Sequence, residues 1–355
     1  MRAWGDLPGD DPERDRAEKE AAIEAAGIDL DPVRPGSHRH DPETDASDHG
    51  HPHLHSEAGQ PPIIGIVGAG AVGTALGVAL TRGGWPIHAV ASRDPARRER
   101  FRSLVEVTRV FADPEPILDE VELIILAVPD DVVGPLAASL RMYGGQAMIH
   151  TSGALGAEVL APAMAAGTQI GAFHPLVSFA DTERAVHDLH GATVAIEGDD
   201  QLAAMLADMA EAIGATPVRL APDSKAAYHA AAVLAAGGFV ALLDAIAELG
   251  RVAGLDEAGS LAIYGPLIEG TLANARVLGI RAALTGPMTR GDIGTLASHL
   301  AALRAHAPDV LELYVAAARR EIDLAQARGA LAPEDSTKMR AALAAALQAQ
   351  PEPVP

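Results

Sequence analysis

The sequence predicts a doubly wound α/β domain with a mostly parallel sheet, followed by an all-α domain. From Pro61, short apolar runs alternate with helical stretches at the spacing of repeated strand–helix units. After Asp223 the strand signals stop, and Ala-rich segments with helical periodicity continue to about residue 348. We therefore expect three segments: a tail over 1–60, an α/β domain over 61–222 and a helical domain over 223–348.

Short apolar runs give the strands, and the amphipathic stretches between them give the helices. The predicted strands are 62–67, 86–91, 122–128, 146–151, 169–173 and 193–196. The predicted helices of this domain are 71–83, 95–102, 114–119, 131–140, 156–165 and 199–213. The second domain is expected to contain helices over 223–254, 256–278, 289–304 and 308–328.

Composition limits what the chain binds. Its 355 residues carry a formal net charge of -21 and no cysteine. We expect no nucleic-acid partner and no anionic membrane surface, because so acidic a body repels both. Redox chemistry needs a cofactor, since a chain without cysteine has no thiol nucleophile and no disulfide. The charged N-terminus lacks an apolar signal segment, which predicts a cytoplasmic protein.

The tail over 1–60 has few large apolar residues to offset the entropy of ordering, so we expect it to be mobile. Six of the fourteen histidines lie in it, at His38, His40, His49, His51, His53 and His55. Alternating histidines can chelate a divalent metal loosely, or they belong to a solvated tail of biased composition. No other metal site is expected.

One helical stretch raises the question of a membrane span. Residues 226–243 are apolar except for His229. The stretch is rich in Ala and Gly and lacks basic anchors on both sides, which favours a buried helix. We expect the helix over 224–250 to be buried, at a dimer interface, because it is apolar nearly all round.

The stretch "IIGIVGAGAVGTALGVAL" places Gly68, Gly70 and Gly73 as G-x-G-x-x-G between a strand and an amphipathic helix. Gly68 permits the tight turn, Gly70 lets the backbone approach a pyrophosphate, and Gly73 lets the helix pack close to the strand. With Ala71 and Val72, these glycines present the helix N-terminus to an anion. The context predicts a dinucleotide site in a Rossmann fold.

The end of the second strand, "IHAVASRDPARR", indicates which dinucleotide binds. An NAD site would place Asp or Glu there, whereas this chain offers Ser92 and Arg93, which suit a 2′-phosphate. Arg97 and Arg98 follow on the next helix. Asp94 is a competing ligand for the ribose, but the arginine before it favours NADP(H).

The carboxyl ends of later strands supply further candidate contacts, because ligands bind there in this fold. "LAVPDD" places Ala127, Val128 and Pro129 beside the cofactor, and "IHTSGAL" adds Thr151 as a cofactor contact and Ser152 as a substrate contact. Thr151 and Ser152 are also suited to helix capping.

Five motifs carry a resemblance to a known family. They are "HTSGAL" (150–155), "FHPLVSF" (173–179), "YHAAAVLAAGG" (228–238), "GPL" with "TLAN" (265–274) and "ALTGPMTRGD" (283–292). Over about residues 61–330 the chain resembles bacterial Rossmann-like oxidoreductases whose C-terminal half is a domain of unknown function, predicted to be short-subunit dehydrogenase-like proteins. That family is similar in architecture to pyrroline-5-carboxylate reductase, ketopantoate reductase and the 6-phosphogluconate dehydrogenase group.

The resemblance implies an NADP-binding N-terminal domain and an all-α domain of the 6-phosphogluconate dehydrogenase C-terminal-like type. It also implies that the helical domain mediates a homodimer and that the active site lies in the cleft between the domains. It supplies no substrate, so the chemistry must be argued from the residues.

Reduction of a carbonyl or imine requires a proton donor and groups that polarise the bond. Lys225 and His229 are four residues apart and therefore share one helix face. In the ketopantoate reductase and hydroxyacid dehydrogenase groups, a Lys is followed four residues later by Asn, so Lys225 matches and His229 departs from the pattern. Either residue is a candidate donor. His174, at a strand end, is a candidate for contacting nicotinamide or substrate, or for shaping the loop.

The loop "LTGPMTRGD" offers a site for a substrate carboxylate. Arg290 can bind it in a bidentate manner and Asp292 can orient the guanidinium, unless Asp292 only caps the next helix. Asn274, on the preceding helix, can bridge substrate and cofactor amide or bond within the core.

The sequence thus predicts an NADP-dependent reductase or dehydrogenase acting on a small, carboxylate-bearing substrate through its C=O or C=N group. A non-catalytic NADP-binding sensor or scaffold is the alternative.

Overall fold

The computed structural model describes residues 60–105, 109–220 and 224–348. The histidine-rich tract lies outside the described residues, so the hypothesis that it chelates a metal stays a prediction. The chain divides into two compact units, of which the first ends at Val233 and the second begins at Leu234.

The first unit is built on an eight-stranded sheet in the order β3-β2-β1-β4-β5-β6-β7-β8. The strands are Ile64–Val67 (β1), Ile87–Ala91 (β2), Arg109–Phe111 (β3), Leu123–Leu126 (β4), Ala147–His150 (β5), Gln169–Pro175 (β6), Thr193–Glu197 (β7) and Thr216–Arg219 (β8). Neighbouring strands are parallel except β6 and β7, which pair antiparallel. The predicted mostly parallel α/β fold is confirmed.

Helices join the strands of this unit. They are Ala71–Arg82 (α1), Pro95–Leu104 (α2), Glu115–Leu118 (α3), Asp130–Ser139 (α4), Thr182–Leu189 (α5), Asp200–Ala212 (α6) and Lys225–Val233 (α7), with a 3₁₀ helix at Ala157–Ala166. The sequence prediction missed β3, β8 and α5. β3 is only three residues long with an exposed Arg109, and β8 contains Pro217, so neither presents an apolar run.

The sheet separates two apolar cores because side chains of a strand alternate between its faces. On β4, Leu123 and Ile125 belong to the core that includes α1, α2, α5 and α6. Ile124 and Leu126 belong to the opposite core, with α3 and α4. All four side chains are completely buried. Burial of each stabilises the fold by about 1.5–3 kcal/mol, which explains the continuous apolar run.

The second unit is helical throughout the part that the structure describes, which confirms the predicted all-α region. Its helices are Phe239–Val252 (α8), Glu257–Leu278 (α9), Ile280–Ala283 (α10), Pro287–Arg290 (α11), Ile293–His306 (α12), Leu311–Ala327 (α13) and Pro333–Gln348 (α14), with a 3₁₀ turn at Pro308–Val310. Its core includes the fully buried Leu296, Ile322, Met339 and Leu343.

The helix that begins at Lys225 runs to Val252 as one element of 28 residues, with a π-helical turn at Leu234–Gly238. By length and composition alone it could cross a membrane. Its most apolar 18-residue window has a mean hydropathy of 2.1, yet only 11% of that window is buried. The described chain by itself does not cover this helix, so its expected burial at a dimer interface stays a prediction. Periodicity shows that a surface is apolar, but it does not show whether the chain itself covers it.

Candidate functional site

The glycine turn joins β1 to α1 in a conformation that two of its glycines enforce. Gly68 has a φ of +112°, and a Cβ there would overlap the carbonyl oxygen of Ala127. A Cβ on Gly73 would overlap the carbonyl oxygen of Gly68. Larger residues are excluded at both positions, so these glycines set the sharp turn and the close approach of helix to strand.

Gly70 is different, because a Cβ on it would meet nothing within 4 Å. Its backbone is extended (φ -78°, ψ -170°), and no side chain of the described chain caps α1. The first-turn amides of α1 therefore face open space next to a residue without a side chain. Ala71 is exposed beside this space, while Val72 packs on the core. Space, donors and helix dipole together suit a pyrophosphate.

The loop after β2 exposes Arg93 and half-buries Ser92. Asp94 caps α2, accepting the backbone N–H groups of Ala96 and Arg97 at 2.8 and 3.2 Å. This capping occupies the carboxylate that competes as a ribose ligand. Among the described residues, no hydrogen bond or ion pair engages the guanidinium of Arg93. The loop thus leaves a cation available at the strand end where a 2′-phosphate would bind.

Arg98 holds this loop from the next helix. Its Nη1 donates to the carbonyl oxygens of Ser92 and Arg93 at 2.5 and 3.1 Å. Arg97 pairs with Asp94 at 3.5 Å. Both arginines therefore support the loop conformation.

The ends of β4 and β5 lie at the same sheet edge. Pro129 precedes α4 without a side-chain cap in the described chain. The N–H of Thr151 donates to the carbonyl of Leu126 at 3.2 Å. Ala127 and Val128 are half-buried behind the glycine turn. These are the positions at which the sequence places cofactor contacts, and their contact with a cofactor stays a prediction.

The strand register aligns the residue before the glycine turn with residues on four other strands. Val67 of β1 pairs with Leu126, Leu126 with His150, His150 with Ala172, and Ala172 with Glu197 of β7. Glu197 therefore lies in the same row as the residue that precedes Gly68. Because β7 is antiparallel to β6, its carboxyl end lies beside the middle of β6.

The loop after β5 is fixed by His150, which is completely buried. The N–H of Ser152 donates to its Nδ1 at 3.2 Å, so Nε2 carries the proton and donates to the Gly156 carbonyl at 3.1 Å. Burial lowers the pKa of His150 and keeps it neutral. Ser152 Oγ accepts the N–H groups of Ala154 and Leu155 at 3.1 Å, which is the capping role considered from the sequence.

A partly buried ion pair joins α7 to β7. Lys225 Nζ donates to Glu197 Oε1 at 2.5 Å, and the side chains are 11% and 21% exposed. The other carboxylate oxygen of Glu197 accepts the N–H of Ala157 at 2.9 Å. Lys225 is therefore held at the start of its helix by an acceptor from the sheet.

Three aromatic side chains lie together, and one of them, His174, is close enough to Lys225 for the charge of the lysine to lower its pKa. The ring centroid of His174 lies 5.8 Å from that of His229 and 5.9 Å from that of Tyr228, both edge-on. Gly153 packs against both imidazoles, since a Cβ on it would overlap His229 Nδ1 and the Nε2 side of His174. Gly153 thus lets the β5 loop approach the histidines closely.

Buried polar atoms without partners occur in this group of residues, called the cluster below: Glu197, Lys225, His174, Tyr228 and His229. Five buried side-chain polar atoms of the described chain make no hydrogen bond, and three of them are His174 Nδ1, His229 Nδ1 and Tyr228 OH. An unpaired buried polar atom costs about 1–3 kcal/mol, so native proteins rarely keep one without a reason. Three in one cluster indicate a place where a polar ligand binds.

Burial sets the protonation of two of these groups. It lowers the pKa of His174 to about 4, assisted by the nearby positive charge of Lys225 and by His229. It raises the pKa of Tyr228 to about 12. At pH 7 His174 is therefore a neutral imidazole and Tyr228 a protonated phenol, so both can donate hydrogen bonds without carrying charge.

The other predicted substrate residues lie in the second unit. Arg290 is exposed, and Asp292 caps α12 by accepting the N–H and the hydroxyl of Thr295 at 2.9 and 2.7 Å. Those bonds lower the pKa of Asp292. Asn274 is exposed, so it does not bond within the core, and it lines a cavity of about 430 Å³ with Glu321. Their roles toward a substrate stay predictions.

The structure brings together Lys225, His229 and His174, as the sequence suggested. Sequence analysis did not single out Glu197 and Tyr228 and gave no role to Gly153. Glu197 directly follows a predicted strand, and Tyr228 lies within the quoted "YHAAAV", so strand ends and helix spacing offered a signal for both.

Two family models match successive stretches of the chain, and the second stretch begins within the first unit, at β7. Residues 51–175 match the Rossmann-like domain family, and residues 192–321 match the family described as domain of unknown function DUF2520. The chain combines a Rossmann-like domain with a DUF2520 domain. The DUF2520 match includes Glu197, Lys225, Tyr228 and His229, whereas His174 lies in the Rossmann-like match. No curated protein matches the sequence.

Solved structures resemble this Rossmann-like and DUF2520 chain in fold. A Bacteroides fragilis protein assigned as an NADP oxidoreductase has 24% identity and a TM-score of 0.62, covering 74% of this chain and 98% of its own. Streptococcus pyogenes 1-pyrroline-5-carboxylate reductase has 17% identity and a TM-score of 0.52, with 75% and 99% covered. An Aspergillus terreus reductive aminase, in complex with NADPH and ethyl levulinate, has 17% identity and a TM-score of 0.52, with 81% and 94% covered. At these identities the likeness shows a shared fold.

Proposed function

We propose that this protein is an NADP-dependent oxidoreductase that reduces the C=O or C=N group of a small, carboxylate-bearing substrate. The observation that carries the proposal is the cluster of three unpartnered buried polar atoms beside the Lys225–Glu197 pair, on the sheet that carries the glycine turn. A dinucleotide cradle and a convergent set of hydrogen-bond donors are the two requirements of such a reductase.

The first unit supplies the groups that would hold the cofactor. The amides after Gly70 would bind the pyrophosphate, and Gly68 and Gly73 keep the turn that presents them. Ser92 and Arg93 would bind the 2′-phosphate, which selects NADP(H) over NAD(H). The cofactor supplies the hydride. Two solved neighbours, one assigned as an NADP oxidoreductase and one in complex with NADPH, support this choice.

The cluster would polarise the reacting bond and protonate the product. Lys225 is charged and keeps two N–H groups beyond the one directed at Glu197, so it can donate a proton to a developing oxyanion or amine. His229 is the alternative donor. His174 is neutral at pH 7, so it would serve as a hydrogen-bond donor rather than as the acid. General acid catalysis of this kind contributes about 10²–10⁴-fold to a rate.

The second unit would complete substrate binding and assembly. Arg290 suits a substrate carboxylate, with Asn274 and Asp292 as further polar contacts. We place the NADP-binding domain at 61–222 and the substrate and dimerisation domain, of the 6-phosphogluconate dehydrogenase C-terminal-like type, at 223–348. We place the protein in the cytoplasm.

A second copy of the chain is our proposed cover for the exposed apolar side chains of the π-helical turn, α8 and α9, called the apolar surface below. It consists of Leu234, Phe239, Val240, Leu242, Leu261, Ile263, Leu267, Leu272 and Val277. Large exposed apolar patches mark interfaces. A membrane span fits poorly, because Lys225 at the start of the helix is held by Glu197 of the sheet.

Screening NADPH oxidation against 2-oxo acids, ketones and cyclic imines tests the proposal. We expect at least one class to be reduced by the wild type, and Lys225→Met or His229→Gln to lower kcat by about 10²-fold or more, identifying the donor. If the protein binds NADPH but oxidises it with no member of the panel, and Lys225→Met changes nothing else, the enzyme proposal fails in favour of an NADP-binding sensor or scaffold.

A further inference from the structure

We propose that Glu197 is a positioning residue, which fixes the ammonium group of Lys225 in the cluster so that it faces the reacting bond. This inference rests on the proposed function for its catalytic consequence. Its structural part, that Glu197 immobilises Lys225, stands on the contacts alone.

The carboxylate of Glu197 is itself held from two sides. One oxygen accepts from Lys225 Nζ at 2.5 Å and the other from the N–H of Ala157 at 2.9 Å. Ala157 follows Gly156, whose carbonyl accepts from His150, so the loop that supplies this N–H is tied to β5. A carboxylate with both oxygens engaged has little freedom to rotate. It therefore offers Lys225 a fixed partner rather than a mobile one.

Lys225 needs such a partner because its side chain is long and flexible. A lysine loses much rotamer entropy when it is fixed, and a general acid works only within hydrogen-bond reach of its target. The side chain is 11% exposed, so water cannot replace the carboxylate easily. A shift of about 1 Å in a reacting group can cost about 10²-fold in rate.

The charges around Lys225 favour this role for Glu197. Lys225 lowers the pKa of His174 and of His150, both neutral at pH 7, so neither can serve as its counter-ion. Glu197 is the carboxylate that touches it. The ion pair also leaves the cluster without excess charge, which lets the remaining N–H groups of Lys225 turn toward a neutral carbonyl or imine.

The sequence makes the immobilisation measurable, because the whole chain contains three lysines: Lys19, Lys225 and Lys338. In protein labelled with ¹⁵N-lysine, an ammonium group gives a proton-detected Nζ signal at neutral pH only where it is bonded and shielded from exchange with water. We expect one such signal, absent from Lys225→Met. Lys338 is an internal comparison, since it is 59% exposed and pairs with Asp335 at 3.4 Å.

Glu197→Gln is the decisive variant. It keeps the length of the side chain and an oxygen for Ala157, but places an amide N–H₂ against the ammonium, so the Lys225 signal should broaden beyond detection. Glu120→Gln is the matched control, because Glu120 is also 21% exposed and also bonded to a cation, Arg109 at 3.1 Å. The control should keep the signal. A Lys225 signal that is undetectable in the wild type or unchanged in Glu197→Gln overturns the positioning role.

Activity supplies the second readout, with a substrate found in the NADPH screen. Glu197→Gln should lower kcat by about 10–100-fold with the KM for NADPH changed less than about 2-fold, whereas Glu120→Gln should alter neither. Equal kcat values for the two variants overturn the catalytic consequence. If the wild type reduces no substrate, the proposed function fails, and the NMR result still decides whether Glu197 holds Lys225. Glu197→Asp serves where Glu197→Gln does not fold, because it keeps the charge but is one methylene shorter.

Discussion

The neutral state of His174 predicts a pH dependence of stability. Burial lowers the pKa of this imidazole to about 4 in the folded protein, against about 6.5 in an unfolded chain. Between these values the unfolded state binds more protons than the folded state, so the free energy of unfolding falls as the pH falls. At pH 7.5 the group contributes nothing to this difference, and at pH 5.0 it destabilises the fold by at most about 2 kcal/mol.

The assay is urea unfolding followed by tryptophan fluorescence at pH 7.5 and 5.0. Trp85 is buried in the first unit, so its emission reports that unit once Trp4 has been replaced by Phe. We expect His174→Gln to lose up to about 2 kcal/mol of the pH dependence of the wild type. His150 is also buried and neutral, so it contributes a remaining slope in both proteins.

His187→Gln is the control, because this imidazole is 90% exposed in the folded protein. The control should keep the slope of the wild type. The reasoning is refuted if His174→Gln and the wild type lose the same free energy between pH 7.5 and 5.0, since His174 would then bind its proton equally in both states.

The remaining predictions concern the glycines and the apolar surface. Gly70→Ala should leave urea unfolding unchanged, because the added Cβ meets open space. The same Cβ would fill the space for the pyrophosphate, so NADPH binding should weaken about tenfold or more. A variant that binds NADPH normally would contradict this. Gly73→Ala should instead destabilise the first unit by about 1–3 kcal/mol, which the same unfolding curves measure, since its Cβ would overlap a carbonyl oxygen. Gly153→Ala should abolish NADPH-dependent turnover while retaining NADPH binding, because it separates the loop from the two histidines; full activity would exclude the proposed cluster. Leu234→Glu with Val240→Glu, at 72% and 63% exposure, should convert a dimer to a monomer in light scattering, and an unchanged mass would show that this surface is not the interface.

Much of the fold could be predicted from the sequence, because buried faces produce a regular pattern of apolar residues. The apolar run of β4 and the glycine turn after β1 predict their elements closely, since both faces of the sheet are covered. The short β3 and the proline-containing β8 show no such pattern of apolar residues. The helix over 225–252 shows a different limit of prediction from sequence. Leu234 and Val240 resemble core residues in the sequence, yet both are exposed in the described chain.

The candidate site was only partly predictable for a related reason. Helix spacing places Lys225 and His229 on one face, but nothing in the sequence tells which acceptor meets the lysine. Glu197 comes from a strand 28 positions earlier, and its approach depends on the antiparallel pairing of β7 with β6. The role of Gly153 was equally hidden, because its close approach to two histidines arises from tertiary packing alone.

Cofactor titration tests the central claim most directly. We expect calorimetry to show that the wild type binds NADPH more tightly than NADH, and that Arg93→Ala reduces this preference by about 10–100-fold, the loss of one charge-assisted phosphate contact of about 1.5–3 kcal/mol. Arg102→Ala, 61% exposed in the last turn of α2, the helix that follows Arg93, should retain the preference. Absence of NADPH binding by the wild type, or an unchanged preference in Arg93→Ala, would contradict the account.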